Sequence, residues 1–140
     1  MTALILASRS AARGAILRGA GVPFEAEDAG VDEGALKAAL LADGATPRDI
    51  ADALAEAKAV KVSARRPSAL VIGADQTMDD AGRLHEKPES IAVARERLQA
   101  LRGRAHQLHS AVVVAQGSAP IWRTVESATL TMRPFSDAYL

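Results

Sequence analysis

The sequence contains no cysteine. This absence excludes disulfide scaffolds, zinc sites built from thiolates, and cysteine nucleophiles. Aromatic residues make up only 3% of the chain, so the stacking platforms that single-stranded nucleic acids need are scarce. No apolar run reaches the length of a membrane span, and the start lacks the basic leader of a signal peptide. We therefore expect a cytoplasmic protein with neither a membrane nor a nucleic-acid partner.

The charge of the chain is balanced. Lys and Arg together number 17 and Asp and Glu also number 17, which gives a formal net charge of zero. Without a general positive field, only a local cationic pocket would attract an anion, and that anion would be small. The length of 140 residues favours a single domain, and an apolar fraction of 49% is enough for a packed core.

Short apolar runs alternate with helical patterns along the chain. Runs typical of buried strands occupy residues 3–7, 69–74 and 109–115. The clearest helical pattern starts after Thr46, carries Pro47 at its first position and runs to about residue 64. Strands that alternate with helices indicate the α/β class.

The first strand leads directly into a helix whose start is rich in hydrogen-bond donors. Ser8, Ser10 and Arg13 surround this predicted N-terminus. Backbone N–H groups and the helix dipole favour an anion there, and the hydroxyls and the guanidinium would add donors. The pattern is that of a phosphate site in outline. A serine cap beside a solvated arginine is the alternative that the residues alone leave open.

Asp75 follows the most convincing predicted strand, residues 69–74. Ligands in open α/β sheets gather outside the carboxyl ends of the strands, so we expect Asp75 near the predicted phosphate site. Its charge would repel a phosphate unless a cation lies between them, and Mg²⁺ binds one or two carboxylates together with phosphate oxygens. Glu33 could be a second carboxylate of that kind. The alternative is that Asp75 is an ordinary turn residue and that Glu33 is an ordinary acidic residue in the first turn of a helix.

Two lysines lie near the apolar stripe of the helix that follows Thr46. At 100° per residue Lys58 falls at the edge of the stripe and Lys61 nearer its centre, and a lysine at such an edge usually extends its amine to water. Periodicity does not choose between them. Lys87 precedes Pro88, so we expect it to be extended in an ordered loop.

The three histidines carry no recognisable ligand pattern. His85, His106 and His109 lack the spacing of metal ligands on a helix. We interpret them as surface or strand residues without a role in the site.

Five short motifs, taken together and in order, resemble the Maf-like family of nucleoside triphosphate pyrophosphatases. They are "LILASRSAAR", "VDE", "LAEAKA", "GADQT" and "EKP". The resemblance covers the whole chain and implies a single Maf-like domain over residues 1–140, apparently without the family's C-terminal segment. The implied fold is a mixed twisted sheet flanked by helices, with two lobes around a cleft, similar to the inosine triphosphatase-like fold.

The resemblance also implies an activity, namely hydrolysis of a nucleoside triphosphate between its α and β phosphates with Mg²⁺ as cofactor. Carried over to this sequence, it implies that Asp75 is catalytic and that Glu33 and Asp75 serve the metal and the attacking water. It further implies that six other residues contact the substrate. Gln76 would help shape the nucleotide site, and the other five would hold phosphates, namely Ser8, Ser10, Arg13, Lys58 and Lys87.

The sequence departs from the family pattern at two places. Ala11 and Ala12 replace the proline and the first arginine of the family's S-x-S-P-R-R, so one phosphate donor is absent. Gln76 stands where many members have threonine. Some members that favour methylated guanosine triphosphate carry glutamine at this position, so the resemblance does not imply a pyrimidine preference. An inactive nucleotide-binding relative and a septation-related interaction protein are the alternative functions, and the assembly state stays open between a monomer and a homodimer.

Overall fold

The computed structural model describes residues 2–140 of the chain. No described helix is long and apolar enough to cross a membrane. The helices and strands in chain order are β1 Leu4–Leu6, α1 Ala11–Gly19, β2 Glu25–Ala26, α2 Glu33–Ala42, α3 Pro47–Arg65, β3 Leu70–Asp80, β4 Arg83–His85, α4 Ile91–Leu101, β5 Ala105–Gln116 and β6 Ala119–Thr131.

The strands form one mixed sheet in the order β2-β1-β3-β5-β6, and β4 pairs with β3 beside this path. Strand β1 is parallel to β2 and β3, whereas β5 is antiparallel to both β3 and β6. The predicted class, a mixed sheet flanked by helices, is therefore confirmed. Strand β6 is one continuous strand of 13 residues.

One edge of β3 is only partly covered. Strand β5 pairs with the other edge from Val71 to Asp79. On the open edge, β1 pairs with residues 70–72 and β4 with residues 78–80. Within the described part of the chain, no strand pairs with this edge between those two segments. The resulting opening is the cleft expected between two lobes.

Helix α3 covers one face of the sheet and supplies much of the core. Its start is fixed as the sequence predicts, because Thr46 and Asp49 form a reciprocal capping box and Pro47 occupies the first turn. The helix packs against β3, β5 and β6. Its buried stripe consists mainly of small and branched apolar side chains, namely Ile50, Ala51, Leu54, Ala55, Ala59 and Val62, and it also includes Lys58.

The close contact between α3 and β3 depends on Gly73. An ideal Cβ at this position would lie 2.1 Å from the carbonyl oxygen of Ala55 and 2.7 Å from the amide nitrogen of Ala59. Only glycine allows the two backbones to approach this closely. Asp75 lies two residues further along on the same face of β3, so this contact also places Lys58 beside Asp75.

Two of the histidines are more deeply placed than expected. His106 and His109 are buried residues of β5, so they are strand residues and not surface ones. The ring nitrogens of His109 lie 2.8 Å from a carboxylate oxygen of Asp79 and 2.7 Å from the hydroxyl oxygen of Ser127. This arrangement ties three neighbouring strands together.

Candidate active site

Asp75 lies in the middle of β3 and not at its end. The expectation of a strand end at residue 74 was wrong because β3 continues to Asp80, where it pairs with β4 and β5. Asp75 nevertheless reaches the cleft, since the neighbouring strand β1 stops at Leu6. The predicted proximity to the start of α1 is correct, and Arg13 is close enough to lower the pKa of the Asp75 carboxyl.

Lys58 joins the two carboxylates that the sequence analysis singled out. Its Nζ lies 2.8 Å from Oε1 of Glu33 and 3.0 Å from Oδ1 of Asp75, and it donates to the carbonyl oxygen of Ala74 at 3.4 Å. These three acceptors match the three N–H donors of the Lys58 ammonium group. Lys58 is 9% exposed, so the expectation that its amine extends to water was wrong. The buried charge is tolerated because two carboxylates neutralise it.

Lys61, in contrast, lies outside the core. It is exposed, and its Nζ donates to the carbonyl oxygen of Gly30. The structure thus decides what the helical periodicity left open, with Lys58 on the buried face and Lys61 at the surface.

The surroundings of Asp75 make its carboxylate unusually basic. Burial raises the pKa of Asp75 above its ordinary value, and the nearby charge of Glu33 raises it further. The ammonium group of Lys58 acts in the opposite direction and lowers this pKa without cancelling the effect of burial. A carboxylate with a raised pKa is better suited to take a proton from water than an ordinary surface aspartate.

A polar cavity of about 340 Å³ lies at the start of α1. Ser10 caps the helix by accepting from the amide of Arg13 at 3.2 Å. The hydroxyl oxygen of Ser8 accepts from the amide of Ser10 at 3.0 Å and from Nη1 of Arg13 at 3.2 Å. The three residues of the predicted phosphate site therefore lie together. The cavity is lined by Ala7, Ser8, Arg9, Ser10, Arg13, Asp28, Ala29, Val31, Glu33 and Lys58.

A second cavity of about 980 Å³ occupies the cleft on the other side of Lys58. Arg13, Glu33 and Lys58 line both cavities, so the two adjoin at these residues. Asp75 lines the larger cavity at this junction. Its remaining walls are partly apolar, and they include Gln76, Met78, His85, Lys87, Pro88, Leu98, Leu101 and Leu108.

Gln76 and Lys87 both face the larger cavity, on different elements. Gln76 lies on the sheet face opposite Asp75, and its Oε1 accepts from the hydroxyl of Ser110 at 3.0 Å. Lys87 is exposed in the loop between β4 and α4. The preceding residue, Glu86, lies 3.4 Å from Lys37 of α2, so this loop faces α2 across the cleft.

Several residues in or beside these cavities were missed in the sequence analysis, among them Arg9, Asp28 and Ser110. Arg9 and Asp28 line the smaller cavity, and Ser110 contacts Gln76. Arg9 carried a usable signal, since it stands between Ser8 and the capping serine. Asp28 and Ser110 carried none, because their positions depend on loop and strand contacts between distant parts of the chain.

The carboxylates present would suit Mg²⁺ only if the substrate supplied some of its ligands. Among residues 2–140 there is no group of three or more histidines and carboxylates placed to hold a metal ion. Glu33 and Asp75 both contact the same ammonium group and offer oxygen ligands. Mg²⁺ commonly uses one or two carboxylates and takes its other ligands from phosphates and water. The pair therefore fits Mg²⁺ when a substrate supplies phosphate oxygens.

The chain is similar to known proteins along its whole length. It is 64% identical over 140 residues to a nucleoside triphosphate pyrophosphatase of Caulobacter vibrioides, covering 100% of this chain and 70% of that protein. It is 44% identical over 137 residues to a 7-methyl-GTP pyrophosphatase of Brucella abortus, covering 98% of this chain and 69% of the relative. A HAM1 protein from Coxiella burnetii matches with a TM-score of 0.47 and 15% identity, covering 92% of this chain and 71% of that structure.

A family model described as Maf-like protein matches residues 3–140, which is nearly the entire sequence. The motifs that suggested this relationship contribute residues to the junction of the two cavities, including Arg13, Glu33, Lys58 and Asp75. With the family model and the 64% identical relative in agreement, the chain belongs to the Maf family.

Proposed function

We propose that this chain is a nucleoside triphosphate pyrophosphatase, which hydrolyses the bond between the α and β phosphates to give a monophosphate and pyrophosphate. The observation that carries the proposal is the contact of Lys58 with Asp75 and Glu33 where the two cavities join. The names of the relatives in Caulobacter vibrioides and Brucella abortus support the same activity. Such a substrate also agrees with a cytoplasmic location.

The two cavities differ in a way that suits the two ends of a nucleotide. The smaller one is lined by Ser8, Ser10 and Arg13 at a helix start, which favours phosphates. The larger one offers the amide of Gln76 beside apolar side chains, which suits a base. Lys87 also lines the larger cavity and can reach a phosphate near the junction. The reacting bond would then lie near Asp75.

Hydrolysis in this arrangement needs a positioned water molecule. Asp75 would accept a proton from that water while the water oxygen forms a bond to phosphorus. The bond from the α phosphorus to the oxygen that bridges it to the β phosphate then breaks, and pyrophosphate leaves with that oxygen. Lys58 keeps Asp75 oriented, and its contact with the carbonyl of Ala74 is the long one, at 3.4 Å, which a phosphate oxygen could replace.

Glu33 and Asp75 are the residues that would hold Mg²⁺. A bound Mg²⁺ would neutralise phosphate charge, which is a main requirement of phosphoryl transfer. The cationic groups of Arg13 and Lys58, which line both cavities, would share that task. The carboxylates would then be close to a phosphate without net repulsion.

The test is the release of pyrophosphate from a panel of nucleoside triphosphates, including 7-methyl-GTP, with and without Mg²⁺. We expect release by the unmodified chain and a loss of at least about 100-fold in Asp75→Asn, because the general base is removed. Asp43→Asn is the control, since Asp43 is exposed at the end of α2 and lines neither of the two joined cavities.

Two results would contradict the proposal. One is equal pyrophosphate release by the unmodified chain and Asp75→Asn. The other is nucleotide binding without any release, which would support the alternative of an inactive nucleotide-binding relative.

A further inference from the structure

Arg9 lies at the rim of the smaller cavity, away from the reacting centre. The residue stands between Ser8 and the capping residue Ser10, and it lines the smaller cavity but not the larger one. Asp75 lines the larger cavity but not the smaller one. The two residues are therefore separated by the shared junction, so Arg9 is placed for a part of the substrate remote from the proton transfer.

The guanidinium of Arg9 is held in place by Asp28. Nη2 of Arg9 lies 2.8 Å from Oδ2 of Asp28, although the arginine side chain is 81% exposed. The other carboxylate oxygen, Oδ1, accepts from the amide of Gly30 at 3.2 Å. The carbonyl oxygen of Asp28 accepts from Nη2 of Arg65 at 2.9 Å. Asp28 is thus held by Gly30 and Arg65, and it contacts one end of the exposed Arg9 guanidinium.

The start of α1 has little positive charge of its own. Its first two residues are Ala11 and Ala12, and the side chain of Arg13 is turned back onto Ser8. Arg9 is accordingly the exposed guanidinium at this rim. Its contact with Asp28 uses one of several N–H donors, and the planar fork of an arginine can bind phosphate oxygens with the others. A phosphate on that side would also be screened from the Asp28 carboxylate by the guanidinium.

We propose that Arg9 binds the pyrophosphate part of the substrate, meaning the β and γ phosphates, with Asp28 as its positioning residue. This inference rests on the proposed function for the identity of the ligand. It adds a substrate-binding residue at the rim of the smaller cavity, next to the uncharged start of α1.

The experiment is calorimetric titration with inorganic pyrophosphate and, separately, with a nucleoside monophosphate, each in the presence of Mg²⁺. We expect Arg9→Gln to weaken pyrophosphate binding about tenfold, the lower end for a hydrogen bond between charged groups at an exposed site. Monophosphate binding should be unchanged, because that half of the substrate lies beyond the junction. Arg48→Gln is the control, as Arg48 is exposed and lines neither joined cavity.

A second variant tests the role of the charge itself. Ala12→Arg in the Arg9→Gln background should restore part of the pyrophosphate affinity, because it returns a guanidinium to the first turn of α1. Unchanged pyrophosphate affinity in Arg9→Gln, or an equal loss for the monophosphate, would overturn the inference. Titration needs no turnover, so a catalytically silent chain that binds pyrophosphate through Arg9 would contradict only the proposed activity.

Discussion

The proton affinity of Asp75 depends on its burial and on charged neighbours of both signs. Burial and the charge of Glu33 raise the pKa of its carboxyl, whereas the contact with Lys58 lowers it. The net direction is upward, so the folded chain holds this proton more tightly than the unfolded chain. If Asp75 is the base, kcat/KM, which reports the free enzyme, should decline as the pH falls through this raised pKa, at a higher pH than for an ordinary aspartate.

Glu33→Gln offers a direct measurement of this coupling. Removing the negative charge should lower the pKa of Asp75, because less repulsion opposes its ionisation. The pKa is measured by a carboxyl ¹³C NMR titration of the metal-free protein, which does not depend on turnover. Glu126→Gln is the control, since Glu126 is exposed on β6 outside both joined cavities. An unchanged or raised pKa in Glu33→Gln would show that Glu33 does not act on Asp75 through its charge.

At the scale of elements, the site depends on how closely α3 lies on β3. Gly73→Ala should lower the free energy of unfolding by about 1–3 kcal/mol, the usual cost of overfilling a packed core. The new Cβ would lie 2.1 Å from the carbonyl oxygen of Ala55, so the helix must move. That movement should also separate Lys58 from Asp75 and reduce pyrophosphate release.

Urea unfolding measures the stability of this variant, and a pyrophosphate assay measures its activity. Gly19→Ala is the matched control, because a Cβ at Gly19, the last residue of α1, would contact nothing within 4 Å. We expect that control to keep the stability and the activity of the unmodified chain. Equal stability of Gly73→Ala and the unmodified chain would mean that the contact of α3 with β3 tolerates a methyl group.

The order and type of most elements could be predicted from local patterns. The capping residues and Pro47 define the start of α3, and short apolar runs mark parts of β3 and β5. The length of β3 could not be predicted, since residues 75–80 are mostly polar and have no apolar alternation. They are extended because β5 pairs with them residue by residue, and this pairing is a long-range contact.

The sequence left open which face of α3 is buried, for a related reason. Alanines occur on several faces of this helix, so the apolar stripe has no sharp edge in the sequence. The phase is decided by Gly73, which admits the face carrying Ala55 and Ala59. Lys58 therefore lies inside and Lys61 outside, a choice that periodicity alone left open.

At the scale of the whole molecule, the site is assembled across an opening in the sheet. Its residues come from α1, α2, α3 and β3 on one side and from β4, α4 and the loop between them on the other. Local patterns could supply the candidate residues, but the meeting of the two cavities at Lys58 depends on the packing of the entire chain. A complete nucleotide should extend through the larger cavity to α4, whereas a phosphate chain alone should reach no further than Lys87.

Hydrogen exchange can distinguish these two cases. A non-hydrolysable nucleoside triphosphate analogue should slow amide exchange both at residues 8–13 and at residues 94–98 of α4, because it spans both cavities. Of these two segments, inorganic tripolyphosphate should slow exchange only at residues 8–13, since it lacks the base that would occupy the larger cavity. Protection of both segments by tripolyphosphate would mean that phosphates extend into the larger cavity. The base would then lie elsewhere, and Gln76 would lose its proposed role in recognising it.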